Sequence, residues 1–291
     1  MKGRIWQVVL LSILFPLASG AAQEELKVFV SVDMEGIAGV VVSEECSASG
    51  PDYGYFRRIM SHEANSAVLG AFDAGATEVV VRDSHGSARN ILPDLIDPRA
   101  KLLRDWSGSP MGMMEGIDES FDAVVFIGYH ARAGTADAII DHTMTGNVMN
   151  LAINGQSLPE AGVNALIAGH FDVPVVFVAG DQGIVDQVLD LFGSIGTFAT
   201  KQGIGASSLG LHPETAQKAV RAGVADAVRN RDRFEPFTMT RPYTMVLKLK
   251  SEASVYNGSF FPGAERTGDW ELTFSDDNIL NVMYAFGVMR R

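Results

Sequence analysis

Cysteine is almost missing from this chain, with a single copy, Cys46, in 291 residues. An intrachain disulfide is therefore excluded, although an exported protein could have formed one. Cys46 follows Glu44 and Glu45 with no base partner in its surroundings, so it reads as incidental rather than nucleophilic. Basic residues are scarce too, 23 Lys and Arg against 35 Asp and Glu, for a formal charge of -12. They form no run, which argues against a nucleic-acid partner, because affinity for the phosphate backbone needs clustered Lys and Arg. Beyond the first two dozen residues no apolar stretch approaches the ~20 residues of a spanning helix. Internal repeats and low-complexity segments are also lacking.

What is present, 47% hydrophobic and 20% charged residues, is the composition of a globular protein with room for one large domain or two smaller ones. The amino terminus is expected to be a secretory signal over residues 1–22. Lys2 and Arg4 form its charged start, Val8 to Leu17 its apolar centre, and Ala18 to Ala22 a small-residue cleavage zone. The expectation is an exported, periplasmic protein with no membrane contact once the signal is removed.

Buried-type apolar runs then alternate with helical patterns. Leu26 to Val32, Thr77 to Asp83, Phe121 to Tyr129 and Pro174 to Asp181 read as strands, and Tyr53 to Ala74, Glu160 to Phe171 and the segment after Asp181 as helices. Strand, helix, strand with tight junctions implies parallel pairing. Lys101 to Trp106 adds an edge strand, Asn154-Gly155 a hairpin turn, and Lys201 falls after a short strand. From about Gly205 the pattern changes to half-exposed alternating strands at Tyr243 to Lys250 and Trp270 to Phe274. The fold expected is α/β: a mostly parallel, three-layer, Rossmann-like domain over 23–204, with a smaller α+β region over 205–291.

Three of the strands halt on metal-ligand residue types. The first runs into SVDMEG, with Asp33 and Glu35; the second into RDSH, with His85; the third into GYH, with His130. In a parallel sheet these ends point the same way, toward the crevice where ligands bind. Glu160 opens a helix, and His142 lies twelve residues past His130. Imidazoles and carboxylates without thiolate suit a catalytic zinc, with manganese or another divalent ion as alternatives. Five candidate ligands, Asp33, Glu35, His85, His130 and Glu160, exceed one open tetrahedral site and suit two ions with Asp33 bridging. His142 is then the candidate base or nucleophile.

In this order and at roughly these spacings, SVDMEG, RDSH, GYHARA, DHTM and LPEAGVNA resemble the zinc-dependent D-aminopeptidases encoded with dipeptide-transport operons. The resemblance runs from about Val28 to the carboxyl end. It implies two zinc ions held by Asp33, Glu35, His85, His130 and Glu160, a catalytic His142, short D-amino-acid peptides such as D-alanine dipeptides as substrates, and a homo-oligomeric, decameric ring. Two positions depart from the family pattern: Asp141 and Thr143 flank His142 where serines are expected. Two other readings stay open from the residues alone: a metal-dependent amidase or esterase, and a non-catalytic periplasmic peptide-binding protein with structural metal.

Overall fold

The computed structural model describes residues 25–291, so the expected signal at 1–22 lies outside the described residues. The chain proceeds through β1 (Lys27–Val32), α1 (Ser43–Cys46), α2 (Tyr53–Asp73), β2 (Glu78–Asp83), β3 (Lys101–Leu103), β4 (Ala123–Tyr129), β5 (Val148–Ile153), β6 (Gln156–Ser157) and α3 (Glu160–His170). It continues with β7 (Val175–Asp181), α4 (Gln182–Phe192), β8 (Gly196–Ile204), β9 (Ser207–Gly210), α5 (Pro213–Arg229), β10 (Tyr243–Leu249), α6 (Glu252–Gly258), β11 (Glu265–Gly268), β12 (Glu271–Asp276) and α7 (Ile279–Met289).

Seven strands form the main sheet in the order β3-β2-β1-β4-β7-β8-β9, parallel except for the terminal β8–β9 pair. The α/β expectation is met. Because side chains alternate across a strand, β1 serves two cores. Val28, Val30 and Val32 pack with residues of α2 and α5 on one face, and Phe29 joins α3, α4 and the second sheet on the other. Each such fully buried side chain contributes ~1.5–3 kcal/mol relative to exposure. Helix α2 presents Phe56, Met60, Ala64, Ala67 and Ala71 to that core at helical spacing, and stops where Gly75 takes φ +99°.

A second sheet, β11-β12-β10-β5-β6, is antiparallel throughout. Its membership does not follow the division expected at residue 205. β5, from within 23–204, pairs with β10 and carries β6 on its other edge, whereas β9 and α5, from beyond 204, belong with the main sheet. The reason is geometric: Leu151 and Ile153 turn their apolar face to Leu247 and Met245, a pairing between segments some ninety residues apart. Lys201 also differs from expectation, lying inside β8 and buried rather than following it.

The main sheet's order reverses between β1 and β4, since β2 follows β1 on one side and β4 continues on the other. In doubly wound sheets, that switch point opens a crevice at the carboxyl ends of the strands. Asp33, Glu35 and His130 occupy those ends.

Candidate metal centre

β1 stops at Val32, so Asp33 and Glu35 do not converge by continued strand alternation as the two-residue spacing implied. The segment turns instead, with the Ile37 N–H donating to the Met34 carbonyl at 3.2 Å. It remains pinned to β4: Asp33 N–H donates to the Ile127 carbonyl (2.8 Å) and Gly36 N–H to the Gly128 carbonyl (2.7 Å). Only glycine fits at position 36, because an added Cβ would stand 1.8 Å from the Tyr129 carbonyl oxygen. Gly128 is required twice over, by φ +72° and by the Asp33 carbonyl 2.2 Å from where its Cβ would be.

The six residues singled out in the sequence meet. His85 Nδ1 lies 3.1 Å from Asp33 Oδ1 and 2.9 Å from Glu35 Oε2. His130 Nε2 is 3.6 Å from Asp33 Oδ2 and 3.5 Å from Glu160 Oε1. His142 Nε2 is 3.7 Å from Glu160 Oε1 and 3.9 Å from Glu35 Oε1. Two triads, Asp33–Glu35–His130 and His130–His142–Glu160, each bring a set of donor atoms within 4.8 Å of one another, and they share His130. The other histidines stand apart: His62 is exposed on α2, His170 ends α3, and His212 caps α5 by accepting from Glu214 N–H.

Each ring is oriented by a backbone carbonyl, which can only accept. His85 donates from Nε2 to Cys46 (2.9 Å), His130 from Nδ1 to Ala131 (2.9 Å), and His142 from Nδ1 to Ile140 (3.0 Å). In every case the opposite nitrogen faces the carboxylates, the arrangement by which outer contacts set the tautomer of metal-binding histidines. His130 Nε2 and Glu35 Oε2 are buried without an aligned hydrogen bond, although both lie within ion-pairing range of neighbours. Buried polar atoms are ordinarily satisfied, so orphans pointing into such a cluster fit a cation. The donor set and its geometry suit one or two divalent ions.

Electrostatics agree. Burial, then the charge of Glu35, pushes the Asp33 carboxyl up to about 8. Burial opposes the charged forms of Glu35 and Glu160 as well, but His85 holds Glu35 well below the usual carboxylate range, and His130 holds Glu160 down. The same burial disfavours charge on His85 and His130, and it is outweighed by Glu35 on the first and Glu160 on the second, so both are raised. Without metal the cluster balances its carboxylates with protons; divalent ions would displace them.

Supporting residues were less visible. Asp83, in RDSH, is not at the cluster; it accepts from Asn90 N–H (2.6 Å) and Ile91 N–H (2.7 Å), and Asn90 Nδ2 donates to the His85 carbonyl (2.6 Å). Asp181 caps α4 through Ile184 N–H (2.7 Å) and also accepts from Ala131 N–H (3.2 Å), next to His130. Beneath the cluster, Ser31 bonds Ser84 (2.7 Å) and the Tyr129 hydroxyl (2.8 Å), which accepts from Asn164 (3.0 Å). Lys201 Nζ donates to the carbonyls of Glu35, Ile37 and Val40, gathering the loop that follows SVDMEG. Placed after a short strand, in TFATKQGIG, it gave no sequence signal of this burial. Asp141 and Thr143, the two departures from pattern, hold the loop after His130 by accepting from Gly134 N–H (2.6 Å) and Ala133 N–H (3.2 Å).

The cluster opens onto a cleft of about 520 Å³, lined also by Glu115, Trp106 and the end of α7. Residues 26–288 match a peptidase family, M55, described as D-aminopeptidase. The chain belongs to the M55 D-aminopeptidase family. A D-aminopeptidase of Bacillus subtilis (strain 168) is 34% identical over 268 residues, spanning 91% of this chain and 96% of that one. A solved structure described as the zinc-dependent D-aminopeptidase DppA from Bacillus subtilis, a self-compartmentalizing protease, superposes with a TM-score of 0.87 at 33% identity, over 91% of this chain and 96% of that one. The Rossmann-like expectation is thus met by the fold of this M55 peptidase as a whole.

Proposed function

We propose that the chain is a zinc-dependent aminopeptidase that removes N-terminal D-residues, of the D-alanine type, from short peptides. The observation that carries this is the convergence of three carboxylates and three histidines, each ring turned by a carbonyl, at the floor of an open cleft. Asp33, Glu35, His85, His130 and Glu160 would hold two zinc ions, with Asp33 between them. When bound, such ions acidify a water and polarise the scissile carbonyl.

The chain's own part is orientation and proton transfer. His142 is the most open of the three rings, its side chain 24% exposed against 12% for His85 and 1% for His130. Its Nδ1 is committed to Ile140, so Nε2 is the atom that takes a proton from the attacking water and returns it to the leaving amine. A closed structural metal site would need no such open histidine, which weighs against a non-catalytic binding protein. The relative described as self-compartmentalizing supports a homo-oligomer for this chain, a decameric ring in this reading. Export to the periplasm, through residues 1–22, completes the proposal and would bring it to peptides derived from cell-wall material.

The test is hydrolysis by the zinc-loaded protein of D-Ala-D-Ala against L-Ala-L-Ala. Release of D-alanine with at least tenfold preference over the L-dipeptide supports the reading; equal rates, or turnover of neither, contradict it.

A further inference from the structure

The cleft above the cluster is acidic. Glu115 adds to Asp33, Glu35 and Glu160 along its walls, and Arg290 and Arg291, just past α7, are the sole Lys or Arg among its described lining residues. Arg290 is anchored rather than free. Its N–H caps α7 on the Phe286 carbonyl, its own carbonyl accepts from Asn147 Nδ2 (3.3 Å), and its guanidinium sits 5.2 Å from the centre of the Phe286 ring. Yet Nε is buried with no hydrogen-bond partner. Burial and the neighbouring Arg291 lower its pKa, and Glu160 opposes this by its charge alone, without a hydrogen bond. A buried guanidinium N–H without an acceptor is costly, and a planar carboxylate matches its fork of donors. The residue falls beyond the 26–288 segment of the family match.

We propose that Arg290 receives the free C-terminal carboxylate of the substrate, so that the cleft selects short peptides whose far end is unblocked. This rests on the peptidase reading given above. A peptide entering with its amino end toward the metal cluster and its carboxylate toward the end of α7 meets complementary charge at that far end. An amidated peptide of the same length offers Arg290 no anion and enters an otherwise acidic channel.

The experiment compares D-Ala-D-Ala with its C-terminal amide, in kinetics and in calorimetric binding, for the wild-type protein, Arg290→Gln and Arg290→Lys. The wild type is expected to favour the free acid about tenfold to a hundredfold in kcat/KM, as loss of a charge-assisted hydrogen bond implies. Arg290→Gln should abolish that preference, chiefly through KM, while handling the amide within about threefold of wild type, and Arg290→Lys should recover part of it. Unchanged zinc content and thermal unfolding separate this from a folding defect. Equal losses on both ligands, or a wild type indifferent to the amide, overturn the proposal. Should the wild type cleave neither peptide, the peptidase reading fails, and calorimetry still decides Arg290: binding of the acid but not the amide upholds it, and binding of both alike, or of neither, overturns it.

Discussion

His130 and His142 lie face to face, with ring centroids 4.1 Å apart and planes 15° from parallel. One ring comes from the end of β4, the other from the loop twelve residues on, and both Nε2 atoms turn to the same oxygen of Glu160. The pair differs in access. His130 is enclosed, whereas His142 faces the cleft, so a ligand role suits the first and a proton-transfer role the second.

Replacing His142 by Ala should therefore reduce kcat on D-Ala-D-Ala by ~10²- to 10⁴-fold, the range of a lost general acid–base group. Zinc content should stay at the wild-type level. Steady-state kinetics beside metal analysis reads both, and full turnover with both ions retained would remove His142 from the mechanism.

Asp33 touches both halves of the cluster, through Oδ1 to His85 and Oδ2 to His130. Asp33→Ala is expected to lose both metal ions together. Loss of one ion alone, measured by elemental analysis after gel filtration, would put the bridging carboxylate elsewhere.

Lys201 holds three carbonyls of the loop behind the site. Lys201→Met leaves the Glu35 and Val40 carbonyls without a donor, while the Ile37 carbonyl keeps the Val40 N–H, at a cost of at least ~2 kcal/mol. Denaturant unfolding of the metal-free variant should show that loss, while exposed Lys218→Met changes stability by less than ~0.5 kcal/mol. A Lys201→Met protein as stable as wild type would mean that the clamp contributes nothing.

Glu63 gives a pH dependence away from the cluster. It is buried in α2, where one oxygen accepts from Ala38 N–H and the other has no partner, and burial pushes its carboxyl up to about 7. The folded state thus keeps a proton that the unfolded chain gives up near 4.5. This contribution is fully present below about 4.5 and is lost as pH rises toward 7, by at most ~3 kcal/mol. Glu63→Gln should lose less stability than wild type between pH 5 and about 7; parallel curves for the two proteins would contradict the shift.

The central strands were legible because β1 and β4 are covered on both faces and read as unbroken apolar runs. Their ends were legible for the same reason: where the runs stop, Asp33 and His130 stand out, as His85 does past the end of β2. The partition between sheets was not, since nothing local says that Leu151 pairs with Leu247 rather than with a neighbour in sequence. Asp83 illustrates a different limit. It stands two residues from His85 in a strand-end motif, yet Oδ2 is spent on the backbone N–H groups of Asn90 and Ile91 and Oδ1 on the Asn90 side-chain amide, and only the folded arrangement distinguishes a loop organiser from a ligand. Ser31 and Asn164 were not legible, because a hydroxyl in a strand and an amide in a helix give no hint that they meet around Tyr129.

The most direct test of the central claim is a zinc titration of chelator-stripped protein, following D-alanine release from D-Ala-D-Ala at each addition. Activity should rise from none to a plateau at two equivalents of zinc per chain. A plateau at one equivalent would contradict the two-ion centre, and activity undiminished by stripping would contradict the metal centre altogether.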